Sequence, residues 1–408
     1  MELVDRPLYL DRIEALIGAP VVKVLTGLRR SGKSRLLELV ADRLQSRGIS
    51  SERIFHVNFD SLELVQFATA ESLNALIKET VPAQGPVYIL LDEVQEVRDW
   101  EKLVNSLIAD GRFDIYITGS NSRLLSGELS TYIAGRCISI DVLPLSFAEY
   151  LAFGGAYSNR DMTRIDEEFE RFTRLGGFPG IHVTPLDDQT SQQMVSDIYR
   201  STLVRDVLTR NSIRDVDMFE KVSAFVIDNV GNPFSARRVA EFMKSQRRKV
   251  SHETVLNYLN ALAEAFVVTR VPRYDVRGRA LLATDEKHYL GDHGITSALF
   301  GDSRQRLPGV LENIVWMELR RRGYEVFVGR VGKAEVDFVA RRQSEVIYVQ
   351  VSVTIAASEE TRRREYAPLE EIVDNYPKFV VTLDPFSGDN AGGIHQMKIP
   401  DFLLSDQY

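Results

Sequence analysis

Cysteine is almost absent from this 408-residue sequence, which holds only Cys137. A single thiol excludes an intrachain disulfide framework and any zinc site built from several cysteines. Because Cys137 lies in the apolar run 137–140, we interpret it as a small buried residue and not as a nucleophile. The six histidines show no spacing typical of metal ligands. We therefore expect neither a disulfide-stabilised fold nor a cysteine-rich metal site.

Long apolar runs and an excess of positive charge are also missing. No stretch approaches the ~20 apolar residues needed to span a bilayer, and the first residues lack the basic flank and apolar core of a signal peptide. We therefore expect a cytoplasmic protein with no membrane partner. The formal net charge of -8 argues against a generally basic nucleic-acid coat. The cluster QRRK at 246–249 keeps a local basic face open.

Short β-rich runs alternate with helical stretches between residues 21 and 144. The runs predict strands at 21–25, 54–59, 86–91, 114–118 and 138–142, with a helix at 33–47 after the first. Apolar strands separated by helices are typical of a parallel sheet covered on both faces. The N-terminal part is therefore predicted to be an α/β domain.

A phosphate-binding loop is predicted at residues 27–34, which read GLRRSGKS and match GxxxxGK[ST] without a mismatch. The loop follows a predicted strand and precedes a predicted helix, so its backbone N–H groups would surround phosphate at a helix N-terminus. Lys33 is expected to neutralise phosphate charge and the Ser34 hydroxyl to bind Mg²⁺. ATP and Mg²⁺ are the predicted cofactors. The predicted nucleotide-binding residues are Gly27, Leu28, Arg29, Arg30, Ser31, Gly32, Lys33, Ser34 and Arg35.

Two further strand ends carry polar side chains that suit the same site. The third predicted strand ends in Asp92, expected to hold Mg²⁺, and Glu93, expected to polarise the attacking water. The fourth is followed by Ser120 and Asn121, where ligands gather in open α/β sheets. One of these two is expected to sense the γ-phosphate or orient the water, and the pattern leaves the choice between them open.

Arg136 is a candidate for stabilising the charge of the transferred phosphate, either in its own chain or in a neighbouring subunit. The alternative is a surface ion pair without a catalytic role. Arg29 and Arg30 are bulky for a phosphate-binding loop. Contact with phosphate and contact with a partner are their two candidate roles.

The second half of the sequence begins with a mostly helical stretch, 146–215, which the breaker sequence GGFPG interrupts at 176–180. From about residue 217 to 271 the pattern predicts a helix, a turn, a helix capped by Ser251, and a strand. That order outlines a winged helix-turn-helix.

Residues 247–249 (RRK) precede the second helix of this outline and suit phosphate contacts, and Asn257 and Asn260 suit base contacts. Glu253 and Glu264 add negative charge to the same helix. Contact with DNA and a role in packing or assembly are therefore both open.

A second alternation begins with a predicted helix at 311–322. Strands are predicted after it at 324–328, 335–340, 347–353 and 379–381. Together they indicate a small mixed sheet.

Several of these segments resemble one group of prokaryotic AAA+ ATPases. They are 26–34 (TGLRRSGKS), 91–95 (LDEVQ), 117–122 (ITGSNS), Gly135-Arg136 and 143–150 (LPLSFAEY), with later landmarks at 199–206, 289–295, 311–313 and 350–352. The resemblance covers nearly the whole chain. It implies a five-stranded ATPase core with a catalytic glutamate beside the Mg²⁺ aspartate. It also implies a C-terminal domain with a restriction-endonuclease-like core.

A restriction-endonuclease-like site needs a helix acid, a strand acid, and an acid-x-Lys motif on the next strand. Glu312 and Asp337 fit the first two positions, whereas Gln350 and Ser352 stand where the last acid and the lysine belong. Gln350 keeps a neutral oxygen ligand, but anionic ligands are lost or weakened relative to the full motif, so Mg²⁺ affinity should fall. Ser352 cannot replace the lysine cation. We therefore interpret the site as catalytically degenerate. Lys333 is the nearby substitute that would keep it active.

Pattern and resemblance together predict an α/β protein of four regions. These are a P-loop ATPase core of AAA+ type (1–150), a helical lid region (151–215), a winged helix-turn-helix (216–275) and a restriction-endonuclease-like domain (276–408). The leading function is Mg²⁺-dependent ATP hydrolysis that drives a conformational change of a C-terminal module interacting with DNA or protein. The alternatives are a nucleotide-gated regulator with slow hydrolysis and an ATP-dependent nuclease. DNA, a protein partner and self-assembly are the candidate interactions.

Overall fold

The computed structural model of the protein describes residues 4–122, 135–157, 161–211, 213–385 and 390–405. The chain divides into an N-terminal unit, Met1–Val142 with Glu264–Phe266, and a C-terminal unit, Leu143–Ala263 with Val267–Tyr408. Within the described residues, no helix has the length and apolar character needed to cross a membrane.

A five-stranded parallel sheet in the order β2-β3-β4-β1-β5 forms the centre of the N-terminal unit. Its strands are β1 (Val22–Thr26), β2 (Ile54–Asn58), β3 (Val87–Asp92), β4 (Phe113–Gly119) and β5 (Cys137–Asp141). Strands β1 and β3 are buried along their whole length, as expected when both faces are covered. All five strands lie within one residue of their predicted bounds. The predicted parallel α/β sheet is confirmed.

Helices cover both faces of this sheet. They are α1 (Pro7–Glu14), α2 (Lys33–Ser46), α3 (Ala70–Thr80) and α4 (Trp100–Asp110), with 3-10 turns at Ser51–Arg53, Leu62–Phe67 and Val94–Glu96. On one face, α1 and α2 pack around Leu25 and Tyr116. On the other, α3 and α4 pack around Val24 and Ile117. Neighbouring residues of one strand thus serve two cores, because successive side chains point to opposite faces.

Helices also make up the first part of the C-terminal unit. They are α5 (Phe147–Tyr157), α6 (Ile165–Leu175), α7 (Pro179–His182), α8 (Asp188–Thr202), α9 (Thr209–Asn211), α10 (Val216–Asp228), α11 (Ala236–Ser245) and α12 (His252–Glu264), with a π-helical segment, Leu203–Leu208, after α8. The Thr254 backbone N–H donates to the Ser251 hydroxyl at 3.1 Å. The predicted cap of α12 is therefore confirmed. The role of 151–215 as a lid stays a prediction.

The helix-breaking sequence predicted at 176–180 forms a tight turn between α6 and α7. Gly176 has φ +81°, and a Cβ there would lie 2.1 Å from Asp292 Oδ1 and 2.9 Å from the Gly294 backbone nitrogen. The buried Asp292 carboxylate accepts hydrogen bonds from the backbone N–H groups of Gly177 and Gly294, both at 2.8 Å. The turn therefore requires glycine at position 176 for its backbone conformation and for space.

An eight-stranded mixed sheet in the order β12-β13-β11-β10-β9-β8-β6-β7 completes the C-terminal unit. Its strands are β6 (Val268–Asp275), β7 (Ala280–Leu290), β8 (Glu325–Val331), β9 (Ala334–Arg342), β10 (Glu345–Val351), β11 (Lys378–Thr382), β12 (Asn390–Ala391) and β13 (Ile394–Lys398). The remaining helices are α13 (Gly294–Phe300), α14 (Leu307–Arg321), α15 (Glu359–Glu370) and α16 (Ile399–Leu404).

This sheet is larger than the small mixed sheet expected from residues 324–381. It gains the hairpin β6–β7, because β6 pairs in parallel with β8 through Tyr274 and Gly329. The predicted boundary between residues 275 and 276 therefore falls in the turn of one hairpin. The wing of the predicted winged helix and the predicted restriction-endonuclease-like core share one sheet, and the division into four domains stays a prediction.

Candidate functional site

The predicted phosphate-binding loop joins β1 to α2 at the carboxyl edge of the parallel sheet. Gly32 precedes α2 with φ +100°. The Lys33 ammonium folds back over the loop and donates to the carbonyl oxygens of Gly27 and Leu28, at 3.0 and 3.1 Å. A Cβ on Gly27 would lie 2.3 Å from the Val142 carbonyl oxygen. The loop is therefore closed around a lysine ammonium, and its first glycine cannot be replaced without a clash.

Two buried hydroxyl groups lie in this loop and at the end of the strand that precedes it. The Oγ1 of Thr26 and the Oγ of Ser31 are buried and have no hydrogen-bond partner within the part of the chain that the structure describes. A buried polar group left without a partner costs about 1–3 kcal/mol. Phosphate oxygens would accept hydrogen bonds from such hydroxyls and from the N–H groups at the start of α2. The donors present therefore fit a nucleotide phosphate.

Asp92, at the end of β3, lies among hydroxyl and amide donors. Thr118 Oγ1 on β4 donates to Asp92 Oδ1 at 2.5 Å, and Asn58 Nδ2 on β2 donates to Oδ2 at 2.8 Å. Burial raises the pKa of the Asp92 carboxyl above its ordinary value, and hydrogen bonds from Ser34 and Thr118 oppose that rise. A carboxylate beside the Ser34 hydroxyl is an oxygen donor set of the kind that Mg²⁺ prefers. The two predicted metal-binding residues thus meet, and their chemistry fits Mg²⁺.

Glu93 follows Asp92 in the left-handed backbone region, with φ 54°. Its N–H donates to Thr118 Oγ1 at 2.9 Å, and its carboxylate accepts a hydrogen bond from the Gln95 amide. A left-handed backbone is uncommon for a residue with a Cβ and marks a position that the surroundings fix. Thr118 therefore holds both acidic residues, one through each of its hydrogen-bonding roles.

We predict that Thr118→Val raises the Mg²⁺ concentration needed for half-maximal ATP turnover by about 10-fold or more, because residues behind a metal ligand typically contribute 10- to 100-fold. Thr118→Ser keeps the hydroxyl and should restore near-wild-type Mg²⁺ dependence. A magnesium titration of phosphate release measures this. If Val and Ser give the same titration curve, Thr118 does not position Asp92.

Ser120 and Asn121 follow β4, which lies between β3 and β1 in the sheet. Both side chains are buried. The structure therefore brings them to the same carboxyl edge as Asp92 and the loop, where sequence reasoning placed them. The choice between them as sensor of the γ-phosphate stays open.

The predicted arginines of the loop are arranged differently from one another. The Arg29 guanidinium is mostly buried and lies 3.7 Å from the Asp60 carboxylate. Arg30 is exposed and has φ 66°. Arg35 is exposed on α2, where its guanidinium pairs with Glu38 at 2.5 Å. Arg35 thus pairs with an acid on the surface of α2, whereas the Arg29 side chain is mostly buried within the loop region.

Arg136 lies at the opposite edge of the sheet from the loop. It precedes β5, and its carbonyl oxygen accepts a hydrogen bond from the Val22 N–H at the start of β1, at 2.8 Å. The loop leaves β1 at its other end, about 13 Å away at about 3.3 Å per residue. The structure therefore does not bring Arg136 to the nucleotide edge of its own chain. A role at a neighbouring subunit stays a prediction.

Arg6 is a site residue that sequence reasoning missed. It precedes α1, is 3% exposed, and donates from Nη1 to the Ser31 carbonyl oxygen at 3.0 Å. Its guanidinium also lies 4.5 Å from the centre of the Tyr9 ring. Arg6 therefore fixes the loop from outside its motif. No sequence signal links it to Ser31, whereas Asn58 shows the same signal as Ser120, a polar residue at a strand's carboxyl end.

The predicted nuclease-like residues lie in the C-terminal unit. Glu312 is on α14, Asp337 on β9 and Gln350 on β10. Gln350 Oε1 accepts a hydrogen bond from the Asp337 N–H at 3.2 Å. Lys287 on β7 bridges the two acids, with Nζ 3.0 Å from Glu312 Oε2 and 3.3 Å from Asp337 Oδ1. Sequence reasoning missed this lysine.

The two other residues considered for the nuclease-like site lie apart from this cluster. The Ser352 hydroxyl donates to the Thr354 carbonyl oxygen at 3.2 Å. Lys333 is exposed in the turn between β8 and β9. Across the residue ranges given above, no group of three or more His, Cys, Asp or Glu side chains is arranged to hold a metal ion.

The second helix of the predicted winged helix, α12, exposes a mixed polar face. The face consists of His252, Glu253, Leu256, Asn257 and Asn260. Arg270 on β6 donates to Asn260 Oδ1 at 3.3 Å, and Arg248 pairs with Asp217. Arg247 and Lys249 are exposed. The basic cluster is thus partly engaged and partly exposed, which keeps both predicted roles of this region open.

Comparison with known proteins places this geometry in context. The family described as "AAA domain" matches residues 20–151, and a domain of unknown function (DUF8612) matches residues 166–306. The N-terminal unit therefore carries an AAA domain.

Two relatives extend over most of the chain. An "Uncharacterized protein" of Haemophilus influenzae is 36% identical over 403 residues, which are 98% of this chain and 99% of that protein. The uncharacterized protein MJ1544 of Methanocaldococcus jannaschii is 28% identical over 91% of this chain and 83% of its own length.

Among solved structures, the Walker-type ATPase PABY2304 of Pyrococcus abyssi matches with a TM-score of 0.51 and 14% identity. The match covers 73% of this chain and 96% of the other. At this identity the likeness concerns the fold.

Proposed function

This chain belongs to the same family as the Haemophilus influenzae protein and carries an AAA domain, and we propose that it binds ATP with Mg²⁺ and hydrolyses ATP at the γ-phosphate. One observation above all supports the proposal. The carboxyl edge of one parallel sheet holds a lysine-closed loop, the Asp92–Ser34 pair and Glu93 together. Each component alone has structural explanations, whereas their combination is typical of phosphoryl transfer to water.

Each residue has a part in this proposal. A bound Mg²⁺ would neutralise negative charge that develops on the phosphate during transfer. Ser34 and Asp92 would hold it. Lys33, released from the loop carbonyls, would donate to the β- and γ-phosphates. Glu93 would accept a proton from the attacking water once its carboxylate turns from Gln95. Hydrolysis would then drive a conformational change of the C-terminal unit, whose partner we propose to be DNA or another protein.

We predict that Lys33→Ala weakens ATP binding about 100-fold, because the variant loses a charge-assisted contact to two phosphates, worth roughly 1.5–3 kcal/mol. Isothermal titration of wild type and variant with ATP and Mg²⁺ measures the difference. Lys23→Ala would be a poor control, since Lys23 is buried in an ion pair with Asp114. The exposed Lys78 on α3 is better, and Lys78→Ala should bind ATP like the wild type. Equal affinities of Lys33→Ala and Lys78→Ala would contradict the proposal.

A second candidate function is a nucleotide-gated regulator that hydrolyses ATP slowly. The observation that favours it is the hydrogen bond from the Gln95 amide to the Glu93 carboxylate, which occupies the proposed base. Turnover measured with and without single- and double-stranded DNA separates the two. A slow basal rate of ATP turnover that DNA does not change supports the regulator. A rate that DNA increases supports a DNA-dependent ATPase.

A further inference from the structure

Three carboxylates in the C-terminal unit converge on one ammonium group. Lys287 Nζ lies 3.0 Å from Glu312 Oε2, 2.9 Å from Glu335 Oε1 and 3.3 Å from Asp337 Oδ1. The lysine side chain is 3% exposed. A lysine ammonium carries three N–H donors. All three of these donors therefore have a carboxylate partner, each from a different side chain.

The carboxylates themselves are held by further donors. The Tyr289 hydroxyl donates to Glu312 Oε2 at 2.8 Å, and the Val351 N–H donates to Asp337 Oδ2 at 2.9 Å. Arg273 pairs with the Glu335 carboxylate. The acids are thus fixed by protein groups from β6, β7 and β10.

The charge state of Lys287 follows from its neighbours. The Lys287 ammonium is buried and lies within 3.3 Å of carboxylate oxygens of Glu312, Glu335 and Asp337. A buried charge is tolerated when it is paired and hydrogen-bonded. Lys287 is therefore a fixed positive charge inside the unit.

Gln350, which stands where the last acid of the nuclease-like motif belongs, is also buried. Its amide oxygen accepts from the Asp337 N–H, and its Nε2 donates to Glu365 Oε2 at 2.8 Å. Both ends of the amide are thus used by the protein.

From this geometry we propose that the Lys287 ammonium is the permanent cation of the acidic cluster. It stands between Glu312 and Asp337, where a divalent ion shared by the two acids would lie, and the cluster is closed to divalent metal ions. The ion pairs of Lys287 then link β7 to α14 and β9 and stabilise their packing. This proposal goes beyond ATP hydrolysis and does not depend on it.

The opposite role for a lysine beside these acids is catalytic. A metal ion would then bind Glu312 and Asp337 while Lys287 stayed charged next to it. The two roles differ in one measurable property, which is divalent-cation binding by the wild type.

The test is Mn²⁺ binding by the full-length protein in the absence of nucleotide. The electron paramagnetic resonance signal of free Mn²⁺ measures how many ions are bound. The variant Lys287→Ala removes the built-in cation and should bind one more Mn²⁺ per chain than the wild type. The double variant Lys287→Ala/Asp337→Asn should lose that additional ion. The matched control Lys333→Ala, at an exposed lysine of the same unit, should bind no additional ion. Failure of Lys287→Ala to gain an ion while folded would overturn the proposal.

A second comparison needs no change at Lys287, in case its loss prevents folding. Wild type and Asp337→Asn should bind the same number of Mn²⁺ ions, and neither should cleave plasmid DNA with Mn²⁺. A Mn²⁺ ion or a cleavage activity that the wild type has and Asp337→Asn lacks would overturn the proposal. Because nucleotide is absent from the binding assay, either outcome leaves the ATPase proposal to its own tests.

Discussion

Replacement of Glu93 with glutamine is expected to reduce ATP turnover by about 10²- to 10⁴-fold, the usual contribution of a general base. ATP binding should change little, because glutamine has the same shape and Glu93 is not among the proposed phosphate or metal ligands. The backbone N–H of residue 93 still donates to Thr118 Oγ1 in the variant. The neighbouring Asp92 should therefore keep its position.

Phosphate release and ATP titration, measured on the same preparation, separate the chemical step from binding. The matched control is Glu96→Gln, a change of the same chemistry at an exposed acid in the same 3-10 turn. It should keep turnover near the wild-type rate. A Glu93→Gln variant that turns over ATP like Glu96→Gln would remove Glu93 from the mechanism.

The second large effect is expected at Gly176, where Gly176→Ala should lower the free energy of unfolding of the C-terminal unit by about 3 kcal/mol or more. With φ +81° and ψ −168°, Gly176 lies in a backbone region populated almost only by glycine, where alanine costs about 1–3 kcal/mol. Its Cβ would also lie 2.1 Å from Asp292 Oδ1, so the carboxylate that holds this turn must move, at a further 1–3 kcal/mol typical of overpacking.

Gly180→Ala is the matched control in the same GGFPG segment. A Cβ at Gly180 meets no atom within 4 Å, so this change should alter stability by no more than about 0.5 kcal/mol. Urea unfolding followed by the fluorescence of Trp316, with Trp100 replaced by phenylalanine, reports on the C-terminal unit. Equal unfolding midpoints for the two alanine variants would show that the Asp292 turn is not a constraint.

The N-terminal unit was predictable from sequence because its signals are local. The inner strands β1, β3 and β4 lie in mostly apolar runs, as is usual when a parallel sheet is covered on both faces, so each run indicates its strand. The carboxyl ends of parallel strands lie at one edge of the sheet. Lys33 follows one predicted strand and its loop, and Asp92 directly follows another, so the sequence already predicts that the two residues lie at the same edge.

Contacts between distant segments were not predictable in this way. Arg6 meets Ser31 across 25 positions, and Lys287 meets Asp337 across 50. No periodicity connects such pairs. The sequence DEKH at 285–288 also reads as a polar loop, because its charges interrupt the apolar alternation of β7. Lys287 is nevertheless buried there, since its charge is paired inside the unit.

Arg136 shows a different limit of sequence reasoning. The motif order places it after the sensor strand and suggests a contact with phosphate. Strand direction prevents this contact within one chain. Arg136 precedes β5, and residues that precede a parallel strand lie at the amino edge of the sheet, opposite the phosphate-binding loop. The pairing of Val22 with Cys137 sets that direction, and no residue type near position 136 reveals it.

The proposed Mg²⁺-dependent ATP hydrolysis is measured by phosphate release from the wild-type protein at saturating ATP, with Mg²⁺ titrated from zero. We expect no release without Mg²⁺, a rise to a plateau as Mg²⁺ is added, and no plateau in Lys33→Ala. Release that is absent at every Mg²⁺ concentration, or that Lys33→Ala retains, would contradict the proposal.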